Sequence, residues 1–177
     1  IQEKGVNTVD EQQLDDYMKA NSARLLRLSY YYTKNLHSAE DIVQDVFIKF
    51  FKTYEQFDRR AHVKTYLTKI TINKCYDYLR SFTSRKNTWL KLVAQKNAHS
   101  YELHSAIEES ELMQHVLALP LKYREIIVLY YYEELSTVEI AALLSLSDNT
   151  VKTRLRRARE KLKAHLSKED WREWLHE

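Results

Sequence analysis

Glycine is almost absent from this chain of 177 residues, which contains one glycine, Gly5, and one proline, Pro120. Average usage near 7% would give about 12 glycines. Glycine supplies the positive φ of tight hairpin turns and the close backbone approach of phosphate-binding loops. Without a glycine after Gly5 the chain has no P-loop and no dinucleotide-binding fingerprint. The sequence therefore predicts an all-α fold, with helices joined by polar turns rather than a set of β-hairpins.

The composition predicts a globular chain without a membrane span. Apolar residues make up 44% of the sequence and charged residues 30%, and no long apolar run is present. Cys75 is the only cysteine, so no disulfide can form within the chain, and we expect it to be a small core residue. No signal-peptide pattern is visible, which predicts a cytoplasmic location. The seven histidines do not cluster with acids or Cys75 at ligand spacing, so neither a metal site nor a cofactor is expected.

Three helical segments predict a first domain over residues 10–82. Asp10 would cap the first helix, and Ser38 with Asp41 would form a variant capping box at the start of the second. The second helix presents a broad apolar face, made of Ile42, Val43, Val46, Phe47, Phe50, Phe51 and Tyr54. The polar run EQFDRRAH precedes a third helix from about Val63 to Phe82. Residues 83–109 are polar and weakly patterned, and we expect them to be a flexible linker.

A second small domain is predicted over residues 110–166, followed by an acidic tail at 167–177. Pro120 suits the first position of a helix, where no amide donor is needed. Ser136 and Glu139 fit a capping box that opens a short helix, Thr137–Leu144. The turn Ser145–Ser147 follows, and Ser147 can cap the last helix, which runs from Asp148 to about Leu166.

The last two helices fit a helix-turn-helix, because both are short, both have a capping residue, three residues join them, and the second is strongly basic. Between Ser145 and His165 there are seven basic and two acidic residues. Ala141 and Ala142 would let the helices cross closely. The core between the helices would consist of Ile140, Leu143, Leu146, Val151 and Leu155. A solvated basic helix in a plain bundle is the alternative, which the combination of caps, short turn and small residues disfavours.

Two long runs resemble sigma factors of bacterial RNA polymerase. Residues 119–162, LPLKYREIIVLYYYEELSTVEIAALLSLSDNTVKTRLRRAREKL, resemble the −35-binding domain of extracytoplasmic-function (ECF, group 4) factors of the sigma-70 family. Residues 38–80, SAEDIVQDVFIKFFKTYEQFDRRAHVKTYLTKITINKCYDYLR, resemble the polymerase-binding and −10-binding domain of the same family. The linker of about 27 residues between the two predicted domains, 83–109, is too short for the middle domain of larger sigma factors. Two matches in the right order are more specific than a helix-turn-helix alone.

The resemblance implies roles for residues of the first domain. Asp41, Gln44 and Asp45 correspond to the docking site for the clamp helices of the polymerase, whereas Phe47 is expected in the core. Taken alone, an exposed acidic face would be read as solvated surface. The element that captures an unstacked −10 base corresponds to Phe57, Arg59, Arg60, His62, Lys64, Asn73 and Asp77. Each of these could equally be an ordinary loop or capping residue.

In the second domain the resemblance implies contacts with −35 DNA. Arg124 corresponds to a DNA contact outside the recognition helix, and the groove-facing set is Lys152, Thr153, Arg156 and Arg157. Arg154 and Arg159 could be either phosphate contacts or solvated. The chain departs from the family pattern at several places, including Tyr66 in place of tryptophan and Ser145 in place of the turn glycine.

The resemblance implies a factor without catalysis of its own that confers promoter specificity. Its partners would be core RNA polymerase, through the clamp helices and the flap, promoter DNA, and an anti-sigma factor that is often membrane-anchored. A stand-alone helix-turn-helix regulator is the main alternative, although such a regulator has no need for the DIVQDVF helix and the EQFDRRAH loop. An anti-sigma or adaptor protein that mimics these domains is disfavoured by the basic helix. An enzyme is disfavoured by the lack of a nucleophile paired with a base.

Overall fold

A computed structural model of the chain describes residues 11–54, 62–86 and 111–166, and every regular element in these ranges is helical. The chain divides into two compact units. The prediction of an all-α chain with two small helical domains is therefore confirmed.

The described residues of the first unit form three helices, α1 (Glu11–Thr33), α2 (Leu36–Thr53) and α3 (Val63–Lys86). Apolar side chains from all three meet in one core, because each helix repeats them at helical spacing. The core includes Leu25, Leu28, Tyr31, Tyr32, Val46, Phe47, Phe50, Leu67, Ile70 and Cys75. Phe50 lies at the centre of an aromatic cluster and makes edge-to-face contacts with Tyr17 at 5.6 Å and Tyr54 at 5.4 Å between ring centroids. The predicted core positions of Phe47 and Cys75 are confirmed.

The start of α2 differs from the prediction. Asn35 is the N-cap, and its side-chain oxygen accepts a hydrogen bond of 2.9 Å from the amide of Ser38. The predicted capping box at Ser38 and Asp41 is therefore wrong, since asparagine caps as well as serine does and stands three residues earlier. The Ser38 hydroxyl instead donates to the Tyr78 hydroxyl on α3 at 3.1 Å. Phe51, predicted on the apolar face, is 50% exposed, so the buried face of α2 is narrower than expected.

Within residues 111–166, the second unit forms four α-helices, α4 (Glu111–Ala118), α5 (Leu121–Ile127), α6 (Thr137–Leu144) and α7 (Asp148–Lys163). A π-helical turn, Val128–Tyr132, continues α5. Pro120 is the N-cap of α5 rather than its first residue, and its carbonyl accepts the amide hydrogens of Tyr123 and Arg124. The core of this unit includes Met113, Val116, Ile126, Ile127, Leu129, Ile140, Val151, Leu155, Ala158 and Leu162.

The turn between α6 and α7 forms as the sequence predicts. The capping box is present at the start of α6, where the Ser136 hydroxyl accepts the Glu139 amide and the Glu139 carboxylate accepts the Ser136 amide at 2.8 Å. Ser147 caps α7 by accepting the Thr150 amide at 3.1 Å. Ser145 adopts a left-handed conformation with φ 55° and ψ 44°, which ends α6 without glycine. Ala142 is exposed, so Ala141 alone supplies the small buried residue at the crossing.

Candidate nucleic-acid and protein interfaces

Helix α7 has one buried face and one exposed basic face. Val151, Leu155, Ala158 and Leu162 are buried and recur at intervals of three and four residues, so they form a single stripe along the helix. At 100° per residue, the opposite side of α7 carries the groove-facing set predicted from the sequence. Helix α7 is therefore anchored along one side and presents basic side chains on the other.

The four predicted −35 residues of α7 come together on that face. Lys152 and Arg156 are exposed and stand one turn apart, beside half-buried Thr153 and exposed Arg157. Lys152 forms an ion pair of 2.6 Å with Asp148. Arg156 forms a similar pair of 2.5 Å with Glu160. Exposed pairs within one helix contribute little stability, so DNA phosphates can replace these carboxylates at small cost.

A polar groove runs between the start of α5 and the start of α7. Its lining consists of Lys122, Tyr123, Asn149, Thr150, Thr153, Arg154 and Arg157. Burial raises the pKa of Tyr123, but the hydrogen bond from Arg157 and the charges of Lys122, Arg157 and Lys161 outweigh it, and the pKa lies below its usual value. The groove thus combines three cations with hydroxyl groups, which is chemistry suited to phosphate and base edges.

Arg124, the −35 residue predicted outside α7, occupies a different environment. It is 5% exposed. One terminal nitrogen, Nη1, donates to the carbonyl of Leu117 at 2.8 Å and approaches that of Leu119 at 3.5 Å. These carbonyls lie at the end of α4 and just beyond it, so Arg124 holds the α4–α5 connection and is not part of the exposed basic face.

The other two arginines of α7 also have partners within the unit. Arg154 pairs with the nearly buried carboxylate of Glu125 on α5 at 3.4 Å, with side-chain exposures of 27% and 4%. The Nε of Arg159 donates to the Tyr131 hydroxyl at 2.8 Å, and its guanidinium lies 5.4 Å from the Tyr130 ring centroid. Sequence reasoning left both arginines as either phosphate contacts or solvated, and the structure assigns both to interhelical contacts.

In the first unit, the predicted polymerase-binding residues lie on the exposed side of α2. Asp41, Gln44 and Asp45 are all exposed. Asp45 forms an ion pair of 2.7 Å with Lys74 of α3. Asp41 and Asp45 line an open groove between α2 and α3, together with Ser38, Ile42, Lys74, Asp77, Tyr78 and Ser81. The groove is acidic, because its lining contains three aspartates and one lysine.

The predicted −10 residues that the structure describes are not brought together as one cluster. Phe57, Arg59 and Arg60 lie outside the described residues, while His62, Lys64, Asn73 and Asp77 are all exposed. Asn73 follows Lys64 by nine positions in α3, which places the two residues on opposite sides of the helix and about 13.5 Å apart along its axis. Asp77 lies in the acidic groove beside Asp41 and Asp45. The start of α3 and its middle are therefore two separate candidate surfaces.

Sequence reasoning missed two features of these interfaces. Lys122 and Tyr123 line the polar groove between α5 and α7, although neither residue lies on α7. Ile48 and Phe51 are 53% and 50% exposed on α2 and continue the surface of Asp41 and Asp45 by one and two turns. Ile48 stands four residues after Gln44 and Phe51 stands seven after it, and this helical spacing is the signal that could have found them.

The described part of the chain offers little sign of other chemistry. No group of three or more potential metal ligands occurs within it. Burial raises the pKa of the Cys75 thiol to about 12, so this cysteine is a structural residue rather than a nucleophile. None of the helices described in these ranges has the length and hydrophobicity that crossing a bilayer requires.

Comparison with known proteins matches both units. Residues 17–85 match sigma-70 region 2, and residues 110–162 match sigma-70 region 4. The ECF RNA polymerase sigma factor SigW of Bacillus subtilis is 31% identical over 175 residues, which cover 92% of this chain and 94% of SigW. The chain belongs to the ECF sigma factors of the sigma-70 family. It therefore directs promoter-specific transcription initiation, with core RNA polymerase and promoter DNA as its partners. A stand-alone helix-turn-helix regulator is excluded, since both sigma regions are present in order.

Further comparisons agree with this assignment. The RNA polymerase sigma factor SigV of Bacillus subtilis is 31% identical over 150 residues, covering 81% of this sigma factor and 85% of SigV. The fold is similar to that of the sigma factor RpoE from Bartonella quintana, solved with the anti-sigma factor NepR. There the TM-score is 0.70 at 20% identity, over 86% of this chain and 96% of RpoE. CnrH, solved with the cytosolic domain of CnrY, gives a TM-score of 0.62 at 24% identity, with 88% of each chain covered.

Proposed function

We propose that this sigma factor divides promoter recognition between its two units without catalysis of its own. Residues 10–82 would bind core polymerase and the melted −10 element, residues 83–109 would link the units, and residues 110–166 would bind the −35 duplex. Residues 167–177 would form an acidic tail with no assigned role. The observation that carries the proposal is the basic face of α7, which lies opposite its buried stripe and holds all four predicted groove-facing residues.

The −35 contact is assigned to Lys152, Thr153, Arg156 and Arg157. These side chains project from the first ten residues of α7, and the N-terminal part of a recognition helix contacts base edges in the major groove. Arginine and lysine can bind guanine edges or phosphates there, and threonine can contact either. Arg124 has a structural role in this proposal, because its buried guanidinium donates a hydrogen bond to the Leu117 carbonyl and so stabilises the connection between α4 and α5. We expect Arg124→Ala to lower the stability of the second unit as well as any DNA affinity.

Binding of a labelled −35 duplex to the full chain tests this assignment. The sequence of the duplex is first obtained by sequencing the transcripts that core polymerase initiates in vitro with this protein. Arg157→Ala should cost about 1–3 kcal/mol and relax the preference for one base pair. Lys163→Ala is the matched control, because Lys163 is exposed at the other end of α7. The control should weaken all duplexes equally and lower the salt slope by no more than about one unit. Unchanged affinity for Arg157→Ala would remove that residue from the interface.

The polymerase contact is assigned to Asp41, Gln44 and Asp45 on α2. Alanine variants of these residues should reduce co-elution with core polymerase in gel filtration. Asp15→Ala is the matched control, because Asp15 is also an exposed aspartate paired with a lysine, in this case Lys19 at 2.5 Å on α1. Equal loss of co-elution in the control would show a general charge effect and contradict the assignment.

The −10 contact is assigned to the EQFDRRAH loop with Phe57, Arg59, Arg60 and His62, and to Lys64, Asn73 and Asp77 on α3. A basic and aromatic surface suits capture of an unstacked base. Lys64→Ala should reduce promoter opening, measured by fluorescence of a base analogue in the −10 element, while leaving binding to core polymerase intact. Lys69→Ala provides the control, since Lys69 is exposed elsewhere on α3. Equal opening by the two variants would contradict the assignment of Lys64.

Regulation by an anti-sigma factor is also proposed, together with a cytoplasmic location alongside the polymerase. The similar folds of RpoE and CnrH were each solved with a second protein, an anti-sigma factor in the case of RpoE and the cytosolic domain of CnrY in the case of CnrH. The expected partner is a membrane-anchored protein whose cytosolic segment covers both units. Such a segment, once purified, should abolish co-elution of this sigma factor with core polymerase. A segment that binds but leaves co-elution unchanged would contradict the proposal.

A further inference from the structure

Asn149 is an exposed residue in the first turn of α7, and its side chain takes no part in capping that helix. Ser147 supplies the cap by accepting the Thr150 amide. The backbone of Asn149 is helical, so the position does not require the left-handed tolerance of asparagine. Its carboxamide makes no hydrogen bond with the residues that the structure describes. Both the donor and the acceptor of this side chain are therefore available to a ligand.

The position of Asn149 on α7 is that of a groove-facing residue. Thr153 follows Asn149 by four positions and Arg156 follows it by seven, so the three side chains lie on one face of the helix. This face is opposite the stripe that includes buried Val151 and Leu155. Asn149 also lines the polar groove between α5 and α7. In a helix-turn-helix the N-terminal residues of the recognition helix contact base edges, and Asn149 is the second residue of α7.

The carboxamide of Asn149 differs chemically from the cations that line the same groove, Lys122, Arg154 and Arg157. Cationic side chains can bind phosphates, which carry no sequence information. A carboxamide is neutral and offers a hydrogen-bond donor beside an acceptor. This combination matches the N7 acceptor and the N6 amino group that adenine presents in the major groove, and the other three bases do not present both groups there. Asn149 is therefore equipped to distinguish bases rather than to add affinity for any DNA.

We propose that Asn149 is a specificity-determining residue, whose carboxamide reads an adenine of the −35 element through two hydrogen bonds. This inference rests on the proposed contact between α7 and −35 DNA, and it adds the identity of one base. The side chain is neutral, so its loss should leave the salt dependence of binding unchanged. The expected signature is the loss of preference for one A·T pair at a constant salt slope.

Asn149→Ala tests the proposal in the full chain. Affinities are measured for the preferred −35 duplex and for duplexes substituted at each base pair. The variant should bind the preferred duplex about fivefold or more weakly. It should bind duplexes that lack the A·T pair as well as the unsubstituted chain does, since these duplexes already lack the contact. Alanine favours a helix more than asparagine does, so the variant should fold, and hydrogen exchange of α7 checks this.

An adenine analogue tests the same contact from the side of the DNA. In 7-deazaadenine the N7 acceptor is missing while base pairing with thymine is kept. Placed at the position that Asn149 reads, the analogue should weaken binding of the unsubstituted chain and should not weaken binding of Asn149→Ala further. Gln114→Ala is the matched control, because Gln114 is also an exposed carboxamide of the second unit but lies on α4. This control should leave the affinity for every duplex unchanged.

The outcomes separate this inference from the function on which it rests. If Arg157→Ala changes the affinity for none of the duplexes, the proposed −35 contact of that residue fails. If Arg157→Ala weakens binding but Asn149→Ala has no effect, or weakens binding to every duplex equally, the −35 contact stands and base reading by Asn149 is overturned. An effect of 7-deazaadenine that persists in Asn149→Ala, or an effect of Gln114→Ala at the same base pair, would also overturn it.

Discussion

The ion pair between Arg154 and Glu125 should stabilise the second unit more than its N–O distance of 3.4 Å suggests. Arg154→Ala leaves the Glu125 carboxylate, which is 4% exposed, without the positive charge 3.4 Å away. The first unit offers a comparison in Lys74 and Asp45, which also join two helices and lie closer, at 2.7 Å, but have side-chain exposures of 30% and 57%. A comparison of Arg154→Ala with Lys74→Ala therefore tests whether the burial of an ion pair or the distance between its charges determines how much it stabilises the fold.

The magnitude follows from charge separation and solvent access. Two unit charges 3.4 Å apart attract each other by about 5 kcal/mol at an effective dielectric constant of about 20. Solvent reaches part of the Arg154 side chain and screens the interaction, so we expect Arg154→Ala to cost about 2–3 kcal/mol. This lies somewhat below the range for breaking a fully buried pair. Lys74→Ala should cost less than about 1 kcal/mol, as exposed pairs do.

Native-state hydrogen exchange at increasing urea concentration measures both changes, because it reports the stability of each unit separately. Arg154→Ala should speed exchange in α5, α6 and α7 and leave α1 to α3 unchanged. Replacing both partners, as Glu125→Leu with Arg154→Met, should recover most of the lost stability, since an apolar pair leaves no buried charge. A cost for Arg154→Ala no greater than that for Lys74→Ala would refute the argument from burial.

Three further predictions concern the cores and the helix termini. Ser145→Gly should stabilise the second unit by up to about 1 kcal/mol in urea unfolding, because Ser145 has φ 55° and glycine adopts this conformation without strain; a lower stability would contradict this. Phe50→Ala should destabilise the first unit by about 3–5 kcal/mol, since Phe50 is fully buried among aromatic rings, and an unchanged urea midpoint would contradict the packing argument. The hydrogen bonds from the Ser136 hydroxyl and amide lower the pKa of Glu139, so its carboxylate stabilises the fold above the usual glutamate pKa near 4.5, and this contribution is lost as the pH falls through the lowered pKa. Acid unfolding followed by circular dichroism should therefore show a smaller dependence on pH in the Ser136→Ala variant, and identical profiles would contradict the capping role.

Local signals in the sequence were sufficient for the helix-turn-helix. The serines at positions 136 and 147 each precede a helix by one residue, and each caps it as predicted. The apolar stripe of α7 follows directly from the spacing of Val151 and Leu155. Such signals act within a few residues, which is why a single sequence reveals them.

Interactions between helices were harder to predict. Asn35 competes with Ser38 as a cap, and the choice depends on where the preceding helix ends. The burial of Arg124 depends on the carbonyls that end α4, and the position of Arg154 depends on Glu125, which is 29 residues away in the chain. Arginine in a basic helix looks the same in sequence whether its partner is a phosphate or a buried carboxylate, so only the packed structure separates these roles.

The partners of the cations determine how much of the basic charge of α7 is available to DNA. Arg154 and Arg159 are held by groups of the unit that are at least partly buried, and moving these arginines to phosphates would break their contacts with Glu125 and Tyr131. Lys152 and Arg156 are held by exposed acids on the same helix, which water can solvate once the cation moves. When the protein binds DNA, counterions leave the phosphates and protein cations take their place. We expect these cations to be mainly the exposed ones, Lys152 and Arg156. We therefore expect the packing of α7 against α5 to divide the basic stripe into residues that orient the helix and residues that are available to contact the promoter.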